Sequence, residues 1–343
     1  MGMKFIKKIP TADEIIEQIP LPNHIKEIKN TKDEEIRKIF KDEEKKFLLI
    51  IGPCSADNED SVCEYIGKLA EVQEKVKDNL IIMPRIYTNK PRTTGEGYKG
   101  MVHQPDPSKK PDLCEGIKAI RKMHIRALSE AHMPAADEML YPENYTYLLD
   151  VLGYIAVGAR SVENQQHRLT VSGVCTPVGM KNPTSGDLPV MLNSIIAAQN
   201  GHNFIYNGWE VETTGNPLAH AILRGAVDSS GRNIPNYHYE DLIYIASKYE
   251  KQQLSNPTII VDVNHANSMK RYYEQPRITR EVLMSRKSDN LLKKMIKGLM
   301  IESYLEEGRQ DIGENIYGKS ITDACLGWES TEKLIYYIAE NVS

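Results

Sequence analysis

The sequence lacks any long apolar run. Its longest apolar stretches, such as 47–51, are far too short to cross a lipid bilayer. The N-terminal segment "MGMKFIKKIPTADEIIEQIP" is charged and interrupted by proline, and it has no apolar region of the kind found in signal peptides. We therefore predict a cytoplasmic protein with no membrane partner.

Neither sign of charge is in large excess. The 343 residues include 43 Lys and Arg and 47 Asp and Glu, which gives a formal net charge of -4 at pH 7. This balance argues against nucleic acid as a partner. An anion-binding site in such a protein must come from a local cluster of cations, because the protein as a whole is slightly negative.

Cysteine is scarce as well. The chain has five cysteines and contains no CxxC pair. An odd number in a chain of this length does not suit a disulfide framework, so we interpret them as reduced thiols. Most free cysteines are small buried apolar side chains.

The order of the apolar segments predicts a (β/α)8 TIM barrel. Short apolar runs alternate with stretches of helical spacing, among them 62–76, 117–131 and 242–249. The eight strand candidates are 47–52, 80–86, 133–139, 154–160, 176–182, 220–226, 258–265 and 297–303. This alternation is typical of right-handed crossovers and a parallel sheet. Eight such units within 46–343 are typical of the barrel class.

Two segments do not follow this repeat. Residues 1–45 are polar and interrupted by proline, with an amphipathic helix predicted at 28–40, and we interpret them as an N-terminal arm that needs a docking surface. The segment "NFIYNGWEVETTG" has no helical pattern and predicts a β-hairpin inserted after strand five. We therefore divide the chain into an arm, 1–45, and a barrel, 46–343.

Cations occur where the predicted strands end, and in such barrels the functional site lies at the C-terminal strand ends. The cations at these positions are Arg85, Arg160, Lys181 and Arg224. Taken singly, each is more readily interpreted as an ordinary surface charge. Their convergence at one end of the barrel indicates a substrate with several negative charges, either two phosphates or one phosphate and a carboxylate.

The loop after strand two adds two more cations in the motif "KPRTT". Pro91 restricts the backbone, so Lys90 and Arg92 are held on a stiff segment beside the hydroxyl of Thr93. Arginine can bind a phosphate through two parallel hydrogen bonds, and lysine acts on it as a point charge. The following "GEGYKG" matches G-x-G-x-x-G, but the prolines after it exclude the helix that a dinucleotide site requires.

Four further residues near strand ends carry side chains that bind metals. They are Cys54, His265, Glu302 and Asp323. Strands one, seven and eight are neighbours in a closed barrel, so these side chains are expected to meet there. One thiolate, one imidazole and two carboxylates suit Mn, Fe, Co or Zn better than Ca or Mg. A buried cysteine and a core histidine are the alternative interpretation.

The carboxylate of Glu138 ends strand three. It is placed to orient Lys181 or a water molecule, or else to pair with one of the arginines.

These motifs resemble those of the type I 3-deoxy-D-arabino-heptulosonate 7-phosphate (DAHP) synthases. The matching motifs are "IGPCS", "KPRTT", "AADE", "GAR", "PVGMKN", "ILRG", "HAN", "ES" and "YGKSITDACLGW", in order over 46–330. The resemblance implies a (β/α)8 barrel with a divalent metal. It also implies condensation of phosphoenolpyruvate with D-erythrose 4-phosphate and water, which gives DAHP and phosphate in the first step toward chorismate.

The resemblance also assigns roles. The family's metal ligands fall on Cys54, His265, Glu302 and Asp323. Its phosphoenolpyruvate-binding residues fall on Arg85, Lys99, Arg160, Lys181 and Arg224. Its aldose-phosphate loop falls on Lys90, Pro91, Arg92 and Thr93. Our catalytic candidates are Lys181, Glu138 and Lys90, the first two for managing protons around C2. The sequence departs from the family by a proline before Arg85 and one extra residue before Lys99.

The arm, the loop "LYPENYTYL" after strand three and the hairpin resemble the feedback site of the regulated subgroup. This implies inhibition by Phe, Tyr or Trp, and a homodimer or homotetramer built partly through the arm. One alternative is the synthase that makes 3-deoxy-D-manno-octulosonate 8-phosphate from arabinose 5-phosphate, although "KPRTT" favours the four-carbon sugar. A generic metal-dependent aldolase and a non-catalytic, metabolite-sensing barrel are the others.

Overall fold

Eight parallel strands form the centre of the fold. The computed structural model describes residues 2–90, 92 and 97–342. Its strands are β1 (Phe47–Gly52), β2 (Leu80–Pro84), β3 (Ala135–Glu138), β4 (Leu152–Val157), β5 (Val178–Lys181), β6 (Asn203–Tyr206), β7 (Trp209–Glu212), β8 (Ala219–Leu223), β9 (Ala226–Val227), β10 (Asn233–Ile234), β11 (Ile259–Asp262) and β12 (Ile296–Glu302). Neighbours in the large sheet follow the order β2-β1-β12-β11-β8-β5-β4-β3. A parallel bridge from Arg85 to Ala136 joins β2 to β3, so the sheet closes into the predicted barrel.

Helices connect the strands and cover the barrel. They are α1 (Ala12–Gln18), α2 (Asn23–Phe40), α3 (Glu59–Val76), α4 (Leu113–Ala131), α5 (Pro142–Tyr145), α6 (Gln165–Ser172), α7 (Leu188–Gln199), α8 (Tyr239–Glu250), α9 (Gln275–Ser288), α10 (Asn290–Met295) and α11 (Trp328–Asn341). Several begin at a side-chain cap, as at Asn58, Asp112 and Asp187, where the cap accepts a backbone N–H of the first turn. None of the helices in the described chain combines the length and the apolar character needed to cross a bilayer.

All the predicted barrel strands except the first, 47–52, continue past the observed strand ends. The candidate 154–160 becomes Leu152–Val157, and the candidate 258–265 becomes Ile259–Asp262. The reason is local geometry, because the chain turns away toward the barrel mouth after each strand. His265, for example, adopts a left-handed backbone with φ of 51°. The functional side chains therefore lie on the last strand residue or just beyond it.

Helix α2 closes the N-terminal end of the barrel. The ring of Phe40 is fully buried, with its centroid 4.6 Å from that of His220 and 6.5 Å from that of Tyr154. The Lys297 ammonium on β12 donates to the Phe40 carbonyl at 2.8 Å. The predicted helix at 28–40 is confirmed, and its apolar face shares one buried cluster with the barrel interior.

The predicted hairpin is also present. β6 and β7 pair antiparallel, and the turn at Asn207 and Gly208 has φ of 49° and 81°. Positive φ at both central residues is the requirement of a type I′ turn, for which Asn-Gly is the preferred sequence. The hairpin follows α7 rather than β5 directly, so it lies in the connection that leads into β8.

We expect Phe40→Ala to lower the free energy of unfolding by about 3–5 kcal/mol, because it leaves a cavity where the arm meets the barrel. Urea unfolding followed by fluorescence measures this. Tyr244→Ala is the matched control, since it also removes an aromatic ring, but from a side chain that is 55% exposed on α8. Equal unfolding midpoints for the two variants would contradict the docking of α2.

Candidate active site

A cavity of about 200 Å³ opens at the C-terminal ends of the barrel strands. Its charged and metal-binding wall residues are Cys54, Arg85, Lys90, Arg92, Glu138, Arg160, Lys181, Arg224, His265, Lys270 and Asp323. Seven of these are lysines or arginines, whereas only Glu138 and Asp323 carry carboxylates. An excess of this size, in a protein that is negative overall, makes the cavity suitable for a polyanionic ligand.

Several of these side chains belong to residues at or just after the C-terminal ends of the barrel strands. Lys181 is the last residue of β5 and Glu138 the last of β3. Arg224 follows β8, and its backbone N–H donates to the buried Asn182 side chain at 2.9 Å. Backbone positions of this kind are rigid, because each belongs to a strand or is hydrogen-bonded to its neighbour.

One buried aromatic ring lies beneath three of the cations. The Tyr87 ring centroid is 3.9 Å from the Arg85 guanidinium, 5.6 Å from the Lys181 ammonium and 5.9 Å from the Lys90 ammonium. Burial raises the pKa of Tyr87 well above its ordinary value, so the phenol stays neutral. The face of a neutral ring attracts cations without cancelling their charge.

Arg160 and Arg224 are neighbours among the seven cations that line the cavity, here called the cationic wall. Burial lowers the pKa of Arg224, and the neighbouring Arg160 lowers it further, although a guanidinium remains charged at neutral pH. The Arg224 Nη1 atom is buried and has no hydrogen-bond acceptor among the described residues. A buried donor without an acceptor is costly, so this geometry favours an anionic ligand at the position.

Three of the four predicted metal ligands converge beside the cations. Ligand atoms of Cys54, Glu302 and Asp323 all lie within 4.8 Å of one another. His265 borders this group, with Nε2 3.9 Å from Glu302 Oε1. The Lys90 ammonium donates to Cys54 Sγ at 3.1 Å and so brings a positive charge to the same cluster.

Glu302 is the buried centre of the cluster. Burial alone would raise its pKa, but Arg85 and His265 outweigh that effect and hold the pKa below the ordinary value. Arg85 Nη1 lies 2.7 Å from Glu302 Oε1. The angles at these atoms do not satisfy hydrogen-bond geometry, so we treat the contact as an ion pair. Glu302 Oε2 accepts from the Asn264 side chain.

The pKa of the Cys54 thiol is raised from its ordinary value, whereas the pKa of the Asp323 carboxyl is lowered. Burial, together with Glu302, raises the pKa of Cys54 against the opposing influence of Lys90. Partial burial would raise the pKa of Asp323, whose side chain is 33% exposed, but Lys270 and Lys90 lower it overall. A bound divalent ion would favour the thiolate, since metal ligands must be deprotonated. The mixed sulfur and oxygen donors fit a transition metal better than Ca or Mg.

Asp262 is a site residue that the sequence analysis missed. Its fully buried Oδ2 lies 3.4 Å from Lys181 Nζ and 2.9 Å from His265 Nδ1. Asp262 therefore joins the cationic wall to the group of predicted metal ligands. Burial alone would raise the pKa of Asp262, but His265 and Lys181 hold it well below its usual range. The available signal was a charged residue inside the apolar run "TIIVDVNH".

Three predicted site residues are not part of the described cavity wall. Lys99 is not among the residues that line the cavity, and its carbonyl accepts the Lys90 N–H at 3.1 Å. The side chain therefore has no described contact with the cationic wall, and its role stays a prediction. Pro91 and Thr93 lie outside the described residues.

Comparison with known proteins finds one enzyme family over most of the chain. The model of the DAHP synthetase I family matches residues 23–335. The phospho-2-dehydro-3-deoxyheptonate aldolase of Haemophilus influenzae is 35% identical over 336 residues, which cover 96% of this chain and 90% of that enzyme. The Phe-sensitive enzyme of Escherichia coli K12 is 34% identical over 350 residues, covering 100% and 97%. Enzymes named Tyr-sensitive and Trp-sensitive match at similar identity.

A solved structure matches the fold over nearly the whole chain. It is the phospho-2-dehydro-3-deoxyheptonate aldolase of Francisella tularensis SCHU S4, with a TM-score of 0.91 and 30% sequence identity. The match covers 99% of this chain and 98% of that one. The barrel, the arm and the hairpin are therefore all within the compared region.

We expect Arg224→Gln to weaken the binding of inorganic phosphate by about 10- to 100-fold, because charge-assisted hydrogen bonds to a buried anion are lost. Isothermal calorimetry measures the dissociation constant. Arg280→Gln is the matched control, since Arg280 is exposed on α9 and lies against Tyr337. Equal weakening in both variants would show that phosphate binds through general surface charge instead.

Proposed function

This chain belongs to the DAHP synthetase I family, and we propose that it condenses phosphoenolpyruvate with D-erythrose 4-phosphate and water. The products are DAHP and phosphate, and the reaction is the first step of the shikimate pathway. The observation that carries the proposal is the wall of seven cations beside the Cys54, Glu302 and Asp323 cluster. Two substrates with two phosphates and one carboxylate account for that excess of positive charge.

The proposed placement of the substrates follows the two groups of cations. Phosphoenolpyruvate is held by Arg85, Arg160, Lys181 and Arg224, with Lys99 an additional candidate. The phosphate of the aldose lies on the loop that contains Lys90 and Arg92, where Pro91 and Thr93 complete the motif. Fixed cations at both phosphates hold the reacting carbons together, and such orientation contributes on the order of several kcal/mol.

The reaction forms one carbon–carbon bond and breaks one carbon–oxygen bond. C3 of phosphoenolpyruvate attacks the aldehyde carbon of erythrose 4-phosphate, and the aldehyde oxygen takes up a proton to become a hydroxyl. Positive charge develops at C2, where water adds. The added water then loses both of its protons, which balance the proton taken up by the aldehyde oxygen and the one carried away by the phosphate. Cleavage of the C2–O bond to phosphate leaves the keto product.

The proposed cofactor is one divalent ion, Mn, Fe, Co or Zn, held by Cys54, His265, Glu302 and Asp323. When bound there it supplies a Lewis acid for the aldehyde oxygen. The donor chemistry of the cluster supports this assignment, and the four residues come from the ends of β1, β11 and β12 and from the segment before α11.

Lys181 and Glu138 are the proposed groups that handle protons around C2. The Lys181 ammonium lies 3.4 Å from the buried Asp262 carboxylate, which restricts its movement, and Lys181 lines the cavity. The Glu138 carboxylate is accommodated by a glycine, because a Cβ atom at Gly158 would lie 2.1 Å from Glu138 Oε1. Any larger residue at position 158 would force Glu138 to move.

We expect purified protein to consume phosphoenolpyruvate, seen as loss of its ultraviolet absorbance, with erythrose 4-phosphate and not with arabinose 5-phosphate. EDTA should abolish the loss and added Mn2+ should restore it, since the metal supplies the Lewis acid. Consumption with arabinose 5-phosphate instead would favour the octulosonate synthase. No consumption with either sugar after addition of Mn2+ would favour a non-catalytic barrel.

A second cavity supports regulation by an aromatic amino acid. It measures about 520 Å³ and lies between the loop after β3 and the β6–β7 hairpin. Tyr145, Phe204, Tyr206 and Val211 give it an apolar wall, which suits an aromatic ring. Relatives named Phe-, Tyr- and Trp-sensitive add to this support, and the choice among the three remains open.

Oligomerisation through the arm is part of the same proposal. The side chains of Phe5 and Ile6 are 92% and 87% exposed, which leaves apolar groups for a second subunit to cover. We propose a homodimer or homotetramer acting in the cytoplasm.

We expect phenylalanine, tyrosine or tryptophan to inhibit the wild type, and Val211→Arg to raise the half-inhibiting concentration about tenfold or more, because the variant places a charge in the apolar cavity. Initial rates at increasing effector concentration measure this. Ile205→Arg is the matched control, since Ile205 is on the same hairpin but is 77% exposed and does not line the cavity. No inhibition of the wild type by any of the three would refute the regulatory proposal.

A further inference from the structure

The two strands that flank β12, which are β1 and β11, stop pairing with it at different residues. On one side, β1 pairs with β12 as far as Gly52 opposite Glu302. On the other side, β11 pairs with β12 only as far as Asp262 opposite Met300. Glu302 therefore has a strand neighbour on one side alone.

A buried glutamine takes the place of the missing strand. Gln275, the first residue of α9, is fully buried. Its Nε2 donates to the Glu302 carbonyl at 2.9 Å, and the Glu302 N–H donates to its Oε1 at 2.8 Å. The Glu302 carbonyl also accepts the Leu326 N–H at 3.1 Å, whereas Gln275 is the partner of the Glu302 N–H. One side-chain amide thus supplies both a donor and an acceptor, as a paired backbone would.

This replacement allows β11 to leave the sheet early. The chain after Asp262 turns toward the mouth, where His265 adopts its left-handed backbone and brings Nε2 to 3.9 Å from Glu302 Oε1. A strand that continued beside Glu302 would keep His265 in the sheet. The glutamine thereby satisfies the backbone of Glu302 while the histidine moves above it.

We propose that Gln275 is a positioning residue for the proposed metal site of Cys54, Glu302 and Asp323, and that it acts through Glu302. The inference rests on the proposed function, because it assumes that Glu302 is a metal ligand. By fixing the backbone on both sides, Gln275 holds the Glu302 carboxylate against Arg85 at 2.7 Å and within 4.8 Å of the ligand atoms of Cys54 and Asp323. Gln275 itself does not line the cavity.

The chain contains the same device away from the site. Gln73 on α3 donates to the Leu80 carbonyl at 3.0 Å and accepts the Ile82 N–H at 2.6 Å. Leu80 begins β2, so this pair of hydrogen bonds lies at the end of the barrel opposite the cavity. Gln73 is therefore a matched control for the loss of a strand-replacing amide.

The test compares Gln275→Met with Gln73→Met in the full-length protein. We expect both to lower the urea midpoint. Gln275→Met leaves the Glu302 N–H without its acceptor, while the Glu302 carbonyl keeps the Leu326 N–H. Gln73→Met removes the partner of the Leu80 carbonyl and of the Ile82 N–H. Calorimetric titration of EDTA-stripped protein with Mn2+ should show affinity about 10- to 100-fold weaker in Gln275→Met, as is usual when a residue supporting a ligand is lost. Gln73→Met should bind Mn2+ like the wild type.

Gln275→Glu provides a second variant if the methionine protein does not fold. It keeps the acceptor for the Glu302 N–H and loses the donor to the carbonyl, so weaker Mn2+ binding than the wild type is expected again. Unchanged Mn2+ affinity in the folded Gln275 variants, or equal loss in Gln73→Met, would overturn the proposal. A wild type that binds Mn2+ but does not consume phosphoenolpyruvate would contradict the proposed function and not the positioning role.

Discussion

The ion pair between Arg85 and Glu302 is the contact on which the rest of the site depends. Both side chains are almost completely buried, and their charged atoms are 2.7 Å apart. Removing two charges from water costs on the order of several kcal/mol for each ion, and the cost is offset only when further polar contacts surround the pair. Here the Tyr87 ring, the Cys54 carbonyl and the Asn264 amide provide them. The pair also joins the cationic wall to the group of Cys54, Glu302 and Asp323.

Charges of opposite sign are arranged in layers around this pair. The carboxylates of Asp262 and Glu302 are fully buried, whereas Arg160 and Arg224 line the cavity and have no carboxylate partner among the described residues. The buried carboxylates hold Arg85 and Lys181 in place without neutralising these two arginines. A phosphate entering the mouth therefore meets positive charge first, and water that would screen it is limited by the small cavity.

Much of this arrangement could be predicted from the sequence. The alternation of strands and helices gave the barrel, and the rule that sites lie at C-terminal strand ends selected Cys54, Lys181 and Glu302. Residues that act through other residues were not predictable in the same way. Asp262 interrupts an apolar run, but nothing in the sequence shows that it faces inward. Gln275 carries no local signal at all, because its role depends on where β11 happens to end.

The contact between helix α2 and β12 can form only late in the synthesis of the chain. The helix is synthesised early, yet its Phe40 carbonyl is bonded by Lys297, which lies 257 positions later in the chain. At about 5–20 residues per second, the Phe40 carbonyl waits roughly 13 to 50 seconds before its partner on β12 exists. Until then the Phe40 ring can pack only on segments made earlier, such as those that carry Tyr154 and His220. The helix that closes one end of the barrel thus obtains its last contact only when the final strand of the barrel has been made.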